Sequence, residues 1–543
     1  MKNELRSVVA VLLCVAIWFG WSKFMVPKQE TLPANAQAVQ TTSPVPSSPQ
    51  QASIPPSFAS RVPGADVILE NDLVKITLDS NGGILKGWEL KKFLKNGKES
   101  NLPVSLAESE GTILNLSFRN ANFDSPEFIT FAPTTAGGMQ ADLRWNSNNI
   151  TLLKRFRLEP DSYLLQMETE FINDQKQTLS FVPAIDWSKV PVEETPQRGV
   201  LFFKSPPDRW HPIYFKDGSL EVVEEKTAGE ALMVNGKINW AGAESQYFLG
   251  TMIPVGVDSQ SMETGRYHLG SGKDMYFTKL LFAPVQVLPG EKWIQKFKIY
   301  GGPKSLKYLK EAGYELDKAI GYGWTSVIAL PILFLLKIFY KVVHNYGVAI
   351  ILLTILIKIL LNPINRKSME SMKRMQALQP KLKELREKYG NDKERMNAET
   401  MQLFKNNKVN PMGGCLPMLL QFPIYIALYK VLWNSVELYH TPFFWFYKDL
   451  SAPDPYFITP VLLGITMFIQ AKMTPSPSAD PMQQKMMMIM PLMFAGFMIF
   501  LPMGLVLYIL VNTGMTILQQ WMYQRGIRFR DLVRGKFPAN LAV

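Results

Sequence analysis

YGVAIILLTILIKILLN, residues 346–362, is an apolar run long enough to cross a bilayer, ended by Pro363 and followed at once by Arg366 and Lys367. Lys358 breaks the pattern. A lysine near the centre of a spanning helix costs about 2.5–3.5 kcal/mol on insertion scales. No other residue of the run is ionisable, so no partner comes from the same helix. Two readings stand. Lys358 is a functional charge inside the membrane, or its flexible stem carries the ammonium two turns onward to the headgroups beside Arg366. The run alone does not separate them.

Around this run the 543 residues are 47% apolar and 19% charged, an average that hides a polar, strand-patterned block and a set of long apolar stretches. The net charge of +12 is concentrated beside those stretches, which points to membrane topology and away from direct nucleic-acid binding. Cys14 and Cys415 lie far apart in apolar surroundings. With no Cys-x-x-Cys and no paired Cys/His spacing, neither a disulfide framework, a metal site nor a cofactor is expected.

Residues 1–27 place Lys2 and Arg6 before an apolar run that continues past Trp21 to Val26. An Ala-x-Ala cleavage site at 34–36 lies well beyond that run, so an uncleaved signal anchor with its amino terminus inside is expected. Residues 28–63, rich in Pro, Ser, Gln and Ala, read as a disordered tether. From 64 to 302 the pattern is period two: 73–78, 114–118 and 165–171 alternate, and Asp79-Ser80-Asn81-Gly82-Gly83 supplies turn chemistry. That predicts one large antiparallel β-sandwich domain. Gly270-Ser271-Gly272-Lys273 is a turn rather than a phosphate loop, since Tyr267 and Asp274 stand where Gly and Ser/Thr belong. His211 and His268 lack neighbours at metal spacing, and no catalytic residues are expected anywhere.

Residues 303–344 read as a helix followed by a segment, 324–343, that is apolar enough to cross. Parity argues otherwise. If it crossed, the basic loop 366–408 would lie outside, against the positive-inside rule, so an amphipathic helix along the outer interface is expected. Within that loop Met369, Met372, Met375, Leu378, Leu382, Leu385 and Tyr389 recur at helical steps and Pro380 interrupts them, predicting a cytoplasmic helical hairpin over 367–408. Four further spans, at 414–436, 456–472, 486–500 and 502–523, complete a core over 345–523. A basic cytoplasmic tail follows over 524–543. The count is six crossings with both termini inside.

The arrangement resembles the YidC family of membrane-protein insertases, in the form with a large periplasmic domain. Specific stretches carry the likeness: the lysine-then-proline pattern from Lys358 to Pro363, MQALQPK at 375–381, VNPMGGCLP at 409–417, DLSAPDPY at 449–456, DPMQQK at 480–485 and PMGLVLY at 502–508. The resemblance implies an α-helical bundle of six spans with a periplasmic β supersandwich of sugar-mutarotase type. It implies a hydrophilic groove closed towards the periplasm, with Lys358, Thr354 and Tyr508 in it. Many relatives carry Arg where this chain has Lys358, and only Tyr508 of a paired-aromatic site carries over. Substrate contacts are implied for Cys415, Met418, Gln421, Met486, Met490 and Phe494. Lys381, Lys383, Arg386 and Lys388 fall in the hairpin. The implied partners are nascent membrane proteins, the Sec translocon, membrane lipids, and the ribosome and its targeting receptor, the last weakened by the short tail. The implied location is the bacterial inner membrane. Methionines crowd 482–498, where flexible thioethers suit varied helices, although most read singly as lipid-facing. A secondary transporter or channel is the alternative, and the absence of Asp and Glu from the spans argues against it.

Overall fold

A computed structural model describes residues 64–525 apart from 96–101, 108–110, 125–128, 190–209, 224–230, 269–273, 390–391, 408, 410–415, 445–446 and 475–480. The anchor, the tether, the turn at 270–273 and nearly all of the tail lie outside the described residues.

The alternating stretches form strands that pair into two antiparallel sheets. One runs in space from Asp66–Glu70 through Val74–Asp79, Ile84–Leu94, Ile113–Arg119, Leu179–Lys189, Asp274–Leu281 and Ser261–His268 to Leu232–Asn235. The other runs from Ser219–Val222 through His211–Lys216, Ile238–Glu244, Phe248–Val255, Lys292–Pro303, Leu164–Asn173, Ile150–Leu158 and Gln140–Ser147 to Ala132–Gly137. Their apolar faces meet in a core that holds Trp88, Trp187, Phe171 and Phe181. Two tryptophans of the first sheet lie on glycines of the second. A Cβ on Gly301 would stand 2.4 Å from the Trp88 ring, and one on Gly250 would stand 2.3 Å from Trp187. Without a side chain there, the large rings fill the space between the sheets at close-packed density.

One charge crosses that core. Lys154, in strand Ile150–Leu158 and only 1% exposed, donates to the carbonyls of Gly82 at 2.9 Å, Gly83 at 3.1 Å and Leu114 at 3.2 Å on the facing sheet. Three ammonium protons meet three oxygens. Burial pulls its pKa from 10.5 to about 7, with buried Asp186 pushing back.

After Pro303 the chain turns helical: α1 is Leu306–Ala312, α2 Ser326–Val343 and α3 Tyr346–Ala377. The Asn345 side chain caps α3 by accepting from the Val348 amide at 3.1 Å. Pro363 ends the apolar run but not the helix, which carries it internally and continues to Ala377. The break comes at Leu378, and Pro380 falls in the first turn of α4, Gln379–Tyr389, where its missing N–H costs nothing. Asp392 caps α5, Lys393–Asn406. Part of the apolar seam predicted for the hairpin is buried, because Met375, Leu378 and Leu382 pack with Phe404 and Val409, while Met372, Leu385 and Tyr389 stay half-buried.

The remaining helices are α6 Leu416–Asn434, α7 Ile458–Met473, α8 Pro481–Phe497 and α9 Met503–Gln524. By length and composition three helices among the described residues suffice to cross a membrane: Gly323–Val343, Tyr346–Ala377 and Met503–Gln524. This differs from the expected six. Segment 324–343, read as interfacial, meets the length test, whereas α7 has 16 residues and thus a rise of about 24 Å against a hydrocarbon core of about 30 Å. Helix α8 gives way to a tight turn at Met498–Phe500 before Pro502.

The loop between α6 and α7 docks on the β domain. Tyr439 meets Phe248 edge-on at 5.4 Å and Tyr247 at 5.1 Å between ring centres. Glu437 takes Lys337 of α2 at 2.6 Å and the Ser305 hydroxyl at 3.3 Å. The loop itself is set by two carboxylates. Asp454 accepts from the Thr459 amide and hydroxyl at 2.7 and 2.8 Å. Burial pushes Asp449 up, but His440 at 2.9 Å and the Ser451 hydrogen bonds hold it below the usual carboxylate range.

Replacing Lys154 by Met keeps the volume and strands three carbonyls, so the β domain should lose at least about 2 kcal/mol. Heat unfolding of the full-length protein in detergent, followed by tryptophan fluorescence, reads this directly. The unfolded chain holds the Lys154 proton up to pH 10.5 while the folded one releases it near 7, so raising pH across that window favours the folded wild type. The stability gap between wild type and the Met variant should therefore widen as pH rises from 7 towards 10.

Candidate functional site

A helix in hydrocarbon must satisfy its polar side chains from its own backbone or from neighbouring helices. Three helices here do so along one seam. On α3, Thr354 and Lys358 lie one turn apart on one face and are both buried. The Thr354 hydroxyl donates to the Ile350 carbonyl at 2.7 Å, so it is satisfied within its own helix. Lys358, 2% exposed, reaches across instead and donates to the Thr516 hydroxyl of α9 at 2.7 Å.

Helix α9 presents Tyr508, Asn512 and Thr516 at successive four-residue steps, hence on one face. Thr516 passes its own proton to the Asn512 carbonyl at 2.8 Å. The Asn512 side-chain oxygen accepts from Gln421 of α6 at 2.6 Å, and its amide donates to the Tyr425 hydroxyl at 2.5 Å. Tyr508 lies edge-on to Tyr425, with ring centres 5.6 Å apart. At the other end of α9 the Gln520 amide donates to the Met473 carbonyl of α7 at 2.6 Å.

The electrostatics of this seam are one-sided. None of α6 to α9 contains Asp or Glu, and among the described residues Lys358 pairs with a neutral hydroxyl, not a carboxylate. A charge so held keeps most of its field for whatever anion approaches, in surroundings where attraction exceeds its value in water. No three metal-ligating side chains cluster among the described residues.

Of the residues singled out from the sequence, Lys358, Gln421 and Tyr508 come together here. Thr354 shares the face of Lys358 but spends its hydroxyl on its own turn. Met490 and Phe494 are not part of the seam: both lie exposed on α8, at 60% and 44%. Cys415 and the side chains of Met418, Met486 and Arg386 lie outside the described residues. Lys381, Lys383 and Lys388 are exposed along α4. Sequence reasoning missed Asn512, Thr516 and Tyr425. The signal was present in the first two: polar side chains at four-residue spacing from Tyr508 inside an apolar run mark a buried face.

The family described as "60Kd inner membrane protein" matches residues 338–530, and that described as "YidC periplasmic domain" matches residues 66–335. The membrane protein insertase YidC of Geobacter metallireducens is 35% identical over 552 residues, covering 96% of this chain and 99% of its own. That of Geotalea daltonii is 33% identical over 536 residues, covering 95% and 98%. A crystal structure of an active YidC insertase with the first transmembrane domain resolved is 18% identical, with a TM-score of 0.37, and the match covers 84% of this chain and 92% of that one. The chain, a β-sandwich domain joined to an apolar helical region across nearly the full length of these relatives, belongs to the YidC family of membrane protein insertases.

Proposed function

We propose that this chain, a non-enzymatic insertase of the inner membrane whose clients are newly made membrane proteins, works through the polar seam of α3, α6 and α9 as a hydrophilic groove. The single observation that carries this is Lys358, fully buried among apolar helices and held by a hydroxyl. A topology anchor would reach for headgroups; this side chain is turned into the protein. A client's polar outer segment must pass hydrocarbon. A hydrated groove shortens that barrier, and Lys358 attracts acidic groups entering from the cytoplasm.

The groove is lined by Lys358, Thr354 and Tyr508. The greasy stretches around Cys415, Met418, Gln421, Met486, Met490 and Phe494 receive the apolar segment of the client. Exposure of Met490 and Phe494 on α8 supports that role, since flexible and aromatic side chains adapt to unlike helices. The topology is six crossings with both termini cytoplasmic, α2 lying along the outer interface, and the β domain in the periplasm. Exposed Val327, Phe334 and Val342 on α2 suit contact with lipid. Cooperation with the Sec translocon belongs to the same reading. The hairpin meets the ribosome or its targeting receptor through its basic surface, including Lys381, Lys383, Arg386 and Lys388, because part of its apolar seam is consumed internally. The carboxylate-free spans disfavour an ion-coupled transporter.

Deleting 381–405 should lower client insertion while the spans still assemble, scored by protease protection in proteoliposomes. Unchanged insertion across clients would reduce the hairpin to a topology signal.

For the groove, Lys358→Arg should retain activity, because the charge matters more than the fork of donors. Lys358→Ala should slow clients with acidic outer tails about tenfold and neutral-tailed ones about twofold or less, and Lys358→Glu should be worse still on acidic tails. Insertion of paired clients differing only in tail carboxylates is the measurement. Equal insertion of both tails by all three variants would refute the electrostatic role.

A further inference from the structure

We propose that Thr516 is the seat of the groove charge: its hydroxyl, rather than the α3 backbone, sets where the Lys358 ammonium stands. The inference rests on Lys358 acting as the groove charge and adds what positions it. A lysine stem has four rotatable bonds and, unaided, lets its ammonium wander over several ångströms. Here the end of the stem is tied. Lys358 donates to Thr516 Oγ1 at 2.7 Å, and that hydroxyl is itself oriented, because its own proton goes to the Asn512 carbonyl at 2.8 Å. Its lone pairs are thereby left for the ammonium.

The seat is in turn bolted to a third helix. The Asn512 side chain accepts from Gln421 at 2.6 Å and donates to Tyr425, both on α6. Lys358 of α3 thus bonds Thr516 of α9, and one turn away on the same face of α9 the Asn512 side chain bonds Gln421 and Tyr425 of α6. The result is a charge fixed by α9 on a scaffold of neutral groups. Those groups neutralise none of its field, whereas a carboxylate in the same position would cancel it. Thr516 is a positioning residue: it touches Lys358 and not the client.

The test combines Thr516→Val, Thr516→Ser and Lys358→Ala in full-length protein reconstituted in liposomes, with clients that differ only in acidic or neutral outer tails. Valine keeps the branched shape in a helix and removes the hydroxyl. Thr516→Val should slow acidic-tailed clients by about three- to tenfold, up to the loss caused by removing the charge itself, and leave neutral-tailed clients within about twofold. Thr516→Ser should restore the acidic-tailed rate. In the Lys358→Ala background Thr516→Val should add nothing, since the charge it seats is gone. Equal losses on both tails, losses that add to those of Lys358→Ala, or failure of serine to rescue would assign Thr516 to helix packing and overturn the proposal. If Lys358→Ala itself fails to discriminate between tails, the groove reading falls and the seat with it. If Lys358→Ala discriminates and Thr516→Val does not, only the seat falls. Thermal stability of each purified variant separates misfolding from loss of positioning.

Discussion

An ammonium group inside a bundle of apolar helices has to find oxygen, and the position of that oxygen dictates how the helices sit. In this protein the oxygen is a threonine hydroxyl on α9, 2.7 Å from Lys358. That hydroxyl is oriented by the Asn512 backbone carbonyl, and one turn along the same face the Asn512 side chain ties α9 to Gln421 and Tyr425 of α6. A carboxylate would have met the same need more strongly and left a neutral pair, whereas a hydroxyl satisfies the geometry and leaves the charge unneutralised.

The same logic of satisfying buried polar groups from a distance recurs in the β domain. Lys154 leaves one sheet to serve three carbonyls of the other, and Asp186 accepts from Thr112 and Ser188 at 2.7 and 3.0 Å. The Lys154 contacts join segments remote in sequence and tie one sheet to the other, whereas the Asp186 contacts stay on one sheet. The domain then meets the helices through Tyr439 and Glu437 of the loop between α6 and α7, and its hydrophobic core continues into the helices. The loop that joins α6, which carries Gln421 and Tyr425, to α7 is thus braced by the β domain.

In the helical hairpin of α4 and α5 the economy is different. The hairpin uses its apolar residues to hold α4 and α5 together, leaving lysines outward. An element built this way offers charge to a partner and keeps its greasy face to itself, which changes the kind of surface it presents without changing its place in the chain.

Much of this was legible in the sequence because it depends on local pattern. Period-two alternation at 73–78, 114–118 and 165–171 marked strands, the apolar seam within the basic loop marked paired helices, and a lysine inside 346–362 marked a charge within a helix of spanning length, since each is a statement about one stretch of chain. The helical seam past Pro363 and the proline at 380 likewise placed the end of the long helix, which carries Pro363 internally and breaks at Leu378. What no stretch could reveal is partnership. Lys358 and Thr516 are 158 residues apart, Gln421 and Asn512 are 91, and Lys154 and Gly82 are 72. A hydrogen bond is decided by where two atoms arrive in space, and only the packing of helix on helix and sheet on sheet brings those atoms together.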